Sequence, residues 1–256
     1  MLFSWYSAVL CTDTAFAELP PEQRANPSMA SWANGEEYIE QQRRRLPAHK
    51  FRRLHLNLPG APSGAFLDPD ALIAAIVTGR RSIPPAADRP YVAFVDMSGG
   101  SSDDAALSIA HEENGKSIVD LVIKQNGEPP FNPRQAVQKF VGTLKAYGLR
   151  RVTGDNYAGL TFKQDFEALG IIYTPCSVTK TVLYEEFEPP LNAGEVELPD
   201  IPKLQEQALG LVIRGARIDH LPGEHDDLIN AAAGAVWCCA DHEKLPVPQS
   251  GRFVWA

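Results

Sequence analysis

The stretch Tyr91-Val92-Ala93-Phe94-Val95-Asp96-Met97-Ser98-Gly99-Gly100-Ser101-Ser102-Asp103 decides the fold. Tyr91 to Val95 is an unbroken apolar run, as expected of a strand buried on both faces at the centre of a sheet. It ends in a carboxylate, and a serine- and glycine-rich turn follows. A charge at the end of a buried strand costs free energy unless it is paired, hydrogen-bonded or bound to a cation. The stretch therefore predicts a central strand with a polar site at its C-terminal end. The plain alternative is a capped turn, with Asp96 satisfied by backbone N–H groups of Gly99 and Gly100.

Downstream, Ala105 to Ala110 and Ser117 to Ile123 read as two more strands, and Asn114-Gly115 between them is a hairpin signal. The period then changes. Ala136, Val137, Phe140, Val141, Leu144 and Tyr147 recur at helical spacing, and Gly148 stops the helix. Arg151 to Thr153 is a short strand reaching Asp155. Ala158 to Leu169 is an amphipathic helix, and Ile171 to Tyr173 a further strand. Helices are expected over Thr179–Phe187 and Pro202–Gly210, with a strand near Leu211–Ile213. The last helix, Asp226 to Ala240, is apolar almost all round and should be buried. The order gives an α/β fold: a mixed sheet of three antiparallel strands followed by parallel ones, flanked by helices.

Upstream, the chain divides near residue 85. Residues 1–85 hold an apolar segment (Leu2 to Leu10), proline-rich loops and a polar helix over Gly35–Leu46. The alternating Leu54-His55-Leu56-Asn57-Leu58 follows, then a short helix over Ala71–Val77 capped at Asp68-Pro69-Asp70. This part reads as a connector, residues 86–243 as the main domain, and 244–256 as a tail.

Composition sets bounds. The 256 residues carry a formal charge of −8, which argues against a general nucleic-acid coat. No apolar run is long enough to span a bilayer; buried free thiols suit a reducing cytoplasm, which is the expected location. Cys11, Cys176, Cys238 and Cys239 show no CxxC spacing and read as free thiols. The basic run Arg43-Arg44-Arg45, with Lys50, Arg52 and Arg53, is either a local phosphate-binding patch or a solvated helix face pairing with Glu36, Glu37 and Glu40.

Two further acidic stretches match Asp96. Gly154-Asp155-Asn156 ends a strand, where ligands of α/β sheets sit. His225-Asp226-Asp227 opens the buried helix, where one aspartate suffices as a cap and the second is free to face the sheet. His225 reads equally as a ligand, a neighbour of one or a surface group. Converging carboxylates repel one another, and a hard divalent cation relieves that repulsion. A pair of such cations can clamp the attacking and leaving oxygens of a phosphodiester. Lys180, at the start of a helix after Pro175, is either a phosphate contact near this cluster or a surface lysine.

On these pieces the region from about Tyr91 to Trp237 resembles the ribonuclease H-like nuclease domain of tailed-phage terminase large subunits. The matching pieces are the Asp96 strand and its turn, Gly154-Asp155-Asn156, Tyr184-Glu185-Glu186-Phe187, Leu198-Pro199-Asp200, Pro202-Lys203-Leu204-Gln205-Glu206-Gln207 and His225-Asp226-Asp227-Leu228-Ile229-Asn230-Ala231. The stretches Asn26-Pro27-Ser28, Tyr38 to Pro47 and Phe51 to Asn57 resemble the family's link between motor and nuclease, and Leu2 to Leu10 its last motor strand.

The resemblance implies an endonuclease that cuts double-stranded phage DNA during packaging. It makes Asp96, Asp155, Asp226 and Asp227 catalytic metal ligands for two Mg²⁺ or Mn²⁺ ions. With DNA as substrate, the basic residues Lys180, Arg43, Arg44, Arg45, Arg52 and Arg53 become candidates for phosphate contact. Portal protein, the small terminase subunit and a separate ATPase chain become expected partners. The family's motor needs a phosphate loop of the GxxxxGKS or GxxxxGKT type, and none occurs in this sequence. A truncated or split subunit without ATPase activity is therefore expected. Two alternatives stand beside this reading: another enzyme on the same fold, such as a transposase or junction resolvase, or a non-catalytic prophage remnant acting as a docking module.

Overall fold

The computed structural model describes residues 6–8, 15–16, 18–46, 48–58, 66–155 and 159–240. Most of the Leu2–Leu10 segment, Cys11, Asn156 and the 244–256 tail lie outside the described residues.

The elements in chain order are α1 (Pro21–Ala25), a 3₁₀ turn (Pro27–Ser31), α2 (Gly35–Arg45), α3 (Ala48–His55), α4 (Pro69–Ala75), β1 (Ile76–Val77), β2 (Tyr91–Asp96), β3 (Ala106–Glu113), β4 (Lys116–Lys124), α5 (Pro133–Ala146), β5 (Arg151–Gly154), α6 (Gly159–Ala168), β6 (Ile172–Pro175), α7 (Lys180–Asn192), β7 (Val196–Pro199), α8 (Pro202–Leu209), β8 (Val212–Arg214), β9 (Arg217–Asp219) and α9 (Asp227–Cys239). Seven strands form one sheet in the order β1-β7-β4-β3-β2-β5-β6, and β8 and β9 form a separate hairpin. The β2–β3 and β3–β4 pairs are antiparallel, whereas β5 and β6 add in parallel beside β2. This is the mixed sheet expected from the sequence.

Alternation along β2 assigns its two faces. Ala93 and Val95 join the layer of α5 and α6, with Phe140, Leu144 and Phe166. Phe94 points the other way, into the larger layer built on α4, α7, α8 and α9. Helix α9 lies directly over Phe94: a Cβ on Gly234 would overlap the Phe94 ring, so only glycine lets the helix come this close. The β3–β4 turn uses Asn114 and Gly115, both at positive φ, as a two-residue hairpin with the sheet's own twist requires.

Several elements differ from the sequence reading. Leu54 and His55, part of the alternating stretch, finish α3, and the chain then turns at Asn57 with φ 48°. Helix α7 runs past Phe187 through Pro189 and Pro190, because Phe187 and Leu191 are buried against α9's layer. That burial outweighs a proline preference worth about 3 kcal/mol in isolated helices. Strands β7 and β9, three or four residues each, carry too little periodicity to be legible alone. Residues 76 and 77, expected to end a helix, pair with Leu198 and Pro199 as the sheet's edge strand. The sheet thus extends N-terminal to residue 85. Earlier helices make a small cluster of their own around Met29, Ile39 and Phe51.

Candidate metal centre

Neighbouring parallel strands bring the first two carboxylates to one sheet end. Val95 pairs with Gly154, so Asp96 and Asp155 leave β2 and β5 side by side. Helix α9 begins over the same end, and Asn230 Nδ2 donates to Asp96 Oδ2 at 2.7 Å. Asp96 is pushed well above the usual carboxylate range, first by burial and then by Asp227, Asp155 and Asp226, with the Asn230 bond pulling the other way. Asp155, Asp226 and Asp227 therefore all act on Asp96. The turn after Asp96 closes on Ser98, whose Oγ donates to Asp103 O and accepts from Gly100 N. It does not close on Asp96, so the capped-turn alternative does not describe this site.

Asp155 is fixed through its backbone. Tyr173 on β6 donates its hydroxyl to Asp155 O at 2.9 Å. A Cβ at residue 154 would overlap that hydroxyl, which explains a glycine before the acidic residue.

Asp226 and Asp227 have different surroundings. Asp226 occupies the N-cap position of α9 but makes no capping hydrogen bond. Gln207 on α8 does that work instead, its Oε1 accepting from Leu228 N and Ile229 N at 2.8 and 3.3 Å. The expectation that one aspartate caps the helix is corrected accordingly: the Asp226 side chain is drawn to α7. Its Oδ2 accepts from the Tyr184 hydroxyl at 2.8 Å and meets Lys180 Nζ at 2.9 Å. Asp227 is 8% exposed, and its Oδ2 is buried with no hydrogen-bond partner among the described residues. His225 Nδ1 stands 4.0 Å from that oxygen and 3.5 Å from Asp103. Burial, then Asp226, Asp103 and Asp104, raise Asp227 to about 6. An orphaned buried carboxylate oxygen among repelling carboxylates is the environment a hard cation fits.

One group of side chains offers three ligand atoms all within 4.8 Å of one another among the described residues, namely Asp219, His220 and Asp226. Asp155 and Asp227 each act electrostatically on Asp96, but the three do not close to that spacing.

The candidate DNA contacts divide. Arg43 is engaged internally, paired with Glu22 and Glu40 and lying 4.6 Å over the Phe51 ring. Arg44 and Arg45 share a surface hollow with Glu37 and Glu40. Arg52 is exposed on α3. Arg53 lines a cavity of about 740 Å³ together with Lys50, Lys180 and Arg217, on the flank of the acidic cluster. Lys180 is paired, not a free surface lysine.

Asn230, Tyr184, Asp219 and His220 were not assigned roles from the sequence. Asn230 was recoverable, because it lies three residues on from Asp227 and so on the same side of α9. Tyr184, Asp219 and His220 reach the site only through the packing of α7 and the β8–β9 hairpin, which no local pattern announces.

The strand order, the two helix layers and the acidic sheet end define a ribonuclease H-like fold. Solved structures sharing it are large-terminase nucleases of phages. That of thermophilic phage G20c superposes with a TM-score of 0.56 at 18% identity, over 66% of this chain and 95% of that one. The same nuclease with bound magnesium gives 0.56 at 17%, over 68% and 98%. The large terminase of bacteriophage HK97 gives 0.55 at 16%, over 91% of this chain and 56% of that one, so this chain spans little more than half of that protein. At these identities the likeness establishes the fold, and it bears out the resemblance read from the sequence at that level. No protein-family model and no curated protein matches the chain.

Proposed function

We propose that this chain is a divalent-metal-dependent endonuclease that cuts double-stranded DNA, the nuclease part of a phage DNA-packaging terminase. The observation that carries the reading is the carboxylate cluster on ends of β2 and β5 and the start of α9, with the Asp227 oxygen left unpartnered. The shared fold with terminase nucleases, one of them with bound magnesium, supports it.

The donor set is all hard oxygen and suits Mg²⁺ or Mn²⁺. In this reading Asp96, Asp155 and Asp227 hold the ion. Asp226 adds charge beside them while one of its oxygens is engaged by Tyr184 and Lys180. Of the paired aspartates this reading takes Asp227 as the main ligand, because its Oδ2 is buried without a hydrogen-bond partner among the described residues. A divalent ion held there would supply Lewis acidity toward a phosphoryl group and lower the pKa of a water. The chain's own contribution is placement. Asn230 orients Asp96, Tyr173 anchors the backbone of Asp155, and Gln207 fixes the first turn of α9. Arg53 and Arg52 on α3 are the remaining candidates for backbone phosphate contact beside the site.

Packaging itself requires ATP hydrolysis, which this reading places outside the 256 residues of this sequence. Portal protein and a small terminase subunit are the further partners it proposes, and host cytoplasm the location. Among the described residues no helix is long and apolar enough to cross a membrane. The experiment is incubation of the purified chain with supercoiled plasmid, with Mn²⁺ or Mg²⁺ and with chelator. Cleavage only with metal supports the proposal; no cleavage under any metal refutes it.

A further inference from the structure

Lys180 is placed as no substrate-binding lysine needs to be. It opens α7, where the Thr179 hydroxyl accepts from Val182 N and fixes the first turn. From there its Nζ donates to Asp219 Oδ1 at 2.8 Å and lies 2.9 Å from Asp226 Oδ2. Those two carboxylates, with His220, are the three whose ligand atoms approach one another within 4.8 Å. His220 Nε2 stands 3.7 Å from Asp219 and 3.9 Å from Asp226. The ammonium thus sits between two carboxylates that, with His220, are close enough together to share a cation, and it bridges β9 to the start of α9. Asp226 in turn lies beside the carboxylates assigned above to the metal.

Resting on that assignment, we propose that Lys180 is a positioning residue that holds the place of a second cation. In the free protein the acidic cluster takes one divalent ion, at Asp96, Asp155 and Asp227. The neighbouring place between Asp226 and Asp219 is filled by the Lys180 ammonium. A single positive charge there neutralises part of the excess and keeps Asp226 turned toward α7. A divalent ion enters only by displacing it. The sequence expectation of two ions becomes, for the free protein, one ion and one lysine.

The experiment counts Mn²⁺ bound by the full chain without DNA, from the free-ion electron paramagnetic resonance signal, alongside melting temperature with and without Mn²⁺. The expected result is one ion for the wild type and for Lys180→Arg, and two for Lys180→Gln. The double variant Lys180→Gln with Asp219→Asn should return to one. Without metal, Lys180→Gln should melt below wild type, and saturating Mn²⁺ should raise its melting temperature by more than it raises the wild type's. The same ion count in wild type and Lys180→Gln, whether one or two, overturns the role of Lys180 and leaves the nuclease reading standing. No bound Mn²⁺ in either overturns both. A Lys180→Gln protein that does not fold would be replaced by Lys180→Met. A second ion in that variant supports the proposal, and an unchanged count overturns it.

Discussion

Asn230 Nδ2 donates a 2.7 Å hydrogen bond to Asp96 Oδ2, joining the buried helix α9 to the end of the central strand. The bond does two things. It holds the Asp96 carboxylate in one orientation, and it registers α9 along β2 so that Asp227 arrives at the same sheet end. Replacing Asn230 by Ala should lower stability by about 1–2 kcal/mol, since a buried carboxylate loses a donor. Cleavage should fall more than stability does. Urea unfolding and plasmid cleavage on the same preparation measure the two effects.

Asp227 gives a pH dependence with a definite sign. Its folded value of about 6 lies above the ordinary 3.8. The folded state therefore holds the proton more tightly, so its stabilising contribution is complete below about pH 4 and is lost as pH rises through about 6. The shift corresponds to roughly 3 kcal/mol. In chelator, Asp227→Asn should be more stable than wild type at about pH 8, and the gap should close below about pH 4. Urea midpoints across that range test it; a pH-independent gap would contradict the assignment.

Gly234 should tolerate no side chain. A Cβ there would meet the Phe94 ring at the centre of the sheet, where neither partner has room to move. Gly234→Ala should cost about 1–3 kcal/mol through overpacking, against the small gain in helix propensity expected at an open site. Thermal unfolding of this variant beside Gly142→Ala, where nothing lies near the added carbon, isolates the packing effect.

The central part of this fold was legible because it is locally coded. The apolar run ending at Asp96, the Asn114-Gly115 turn and the α5 periodicity each decide an element by themselves. The candidate metal centre was legible as three acidic stretches at element ends. What the sequence concealed is set by contact. Gln207 caps α9 from another helix, Lys180 pairs with Asp226 and Asp219, and Ile76-Val77 becomes a strand only by pairing with β7. Short edge strands and side-chain partners from distant elements carry no periodic signal of their own.

DNA binding should depend steeply on salt. If phosphate contacts supply the affinity, each one removed lowers the slope of log K against log salt by about 0.9. Arg53→Ala, on the cavity beside Lys180, should reduce that slope by about one contact. Arg43→Ala, whose partners are internal, should leave it unchanged while lowering the melting temperature. Fluorescence anisotropy on a short duplex in chelator measures both without cleavage.

The central claim is that the carboxylates at this sheet end hold the metal that cuts DNA. Its most direct test is plasmid cleavage in Mn²⁺ by wild type, Asp96→Asn and Asp155→Asn, with folding verified by circular dichroism. The expected result is cleavage by wild type alone, abolished by chelator, with both variants folded and inactive. Undiminished cleavage by either folded variant, or by wild type in excess chelator, would contradict it.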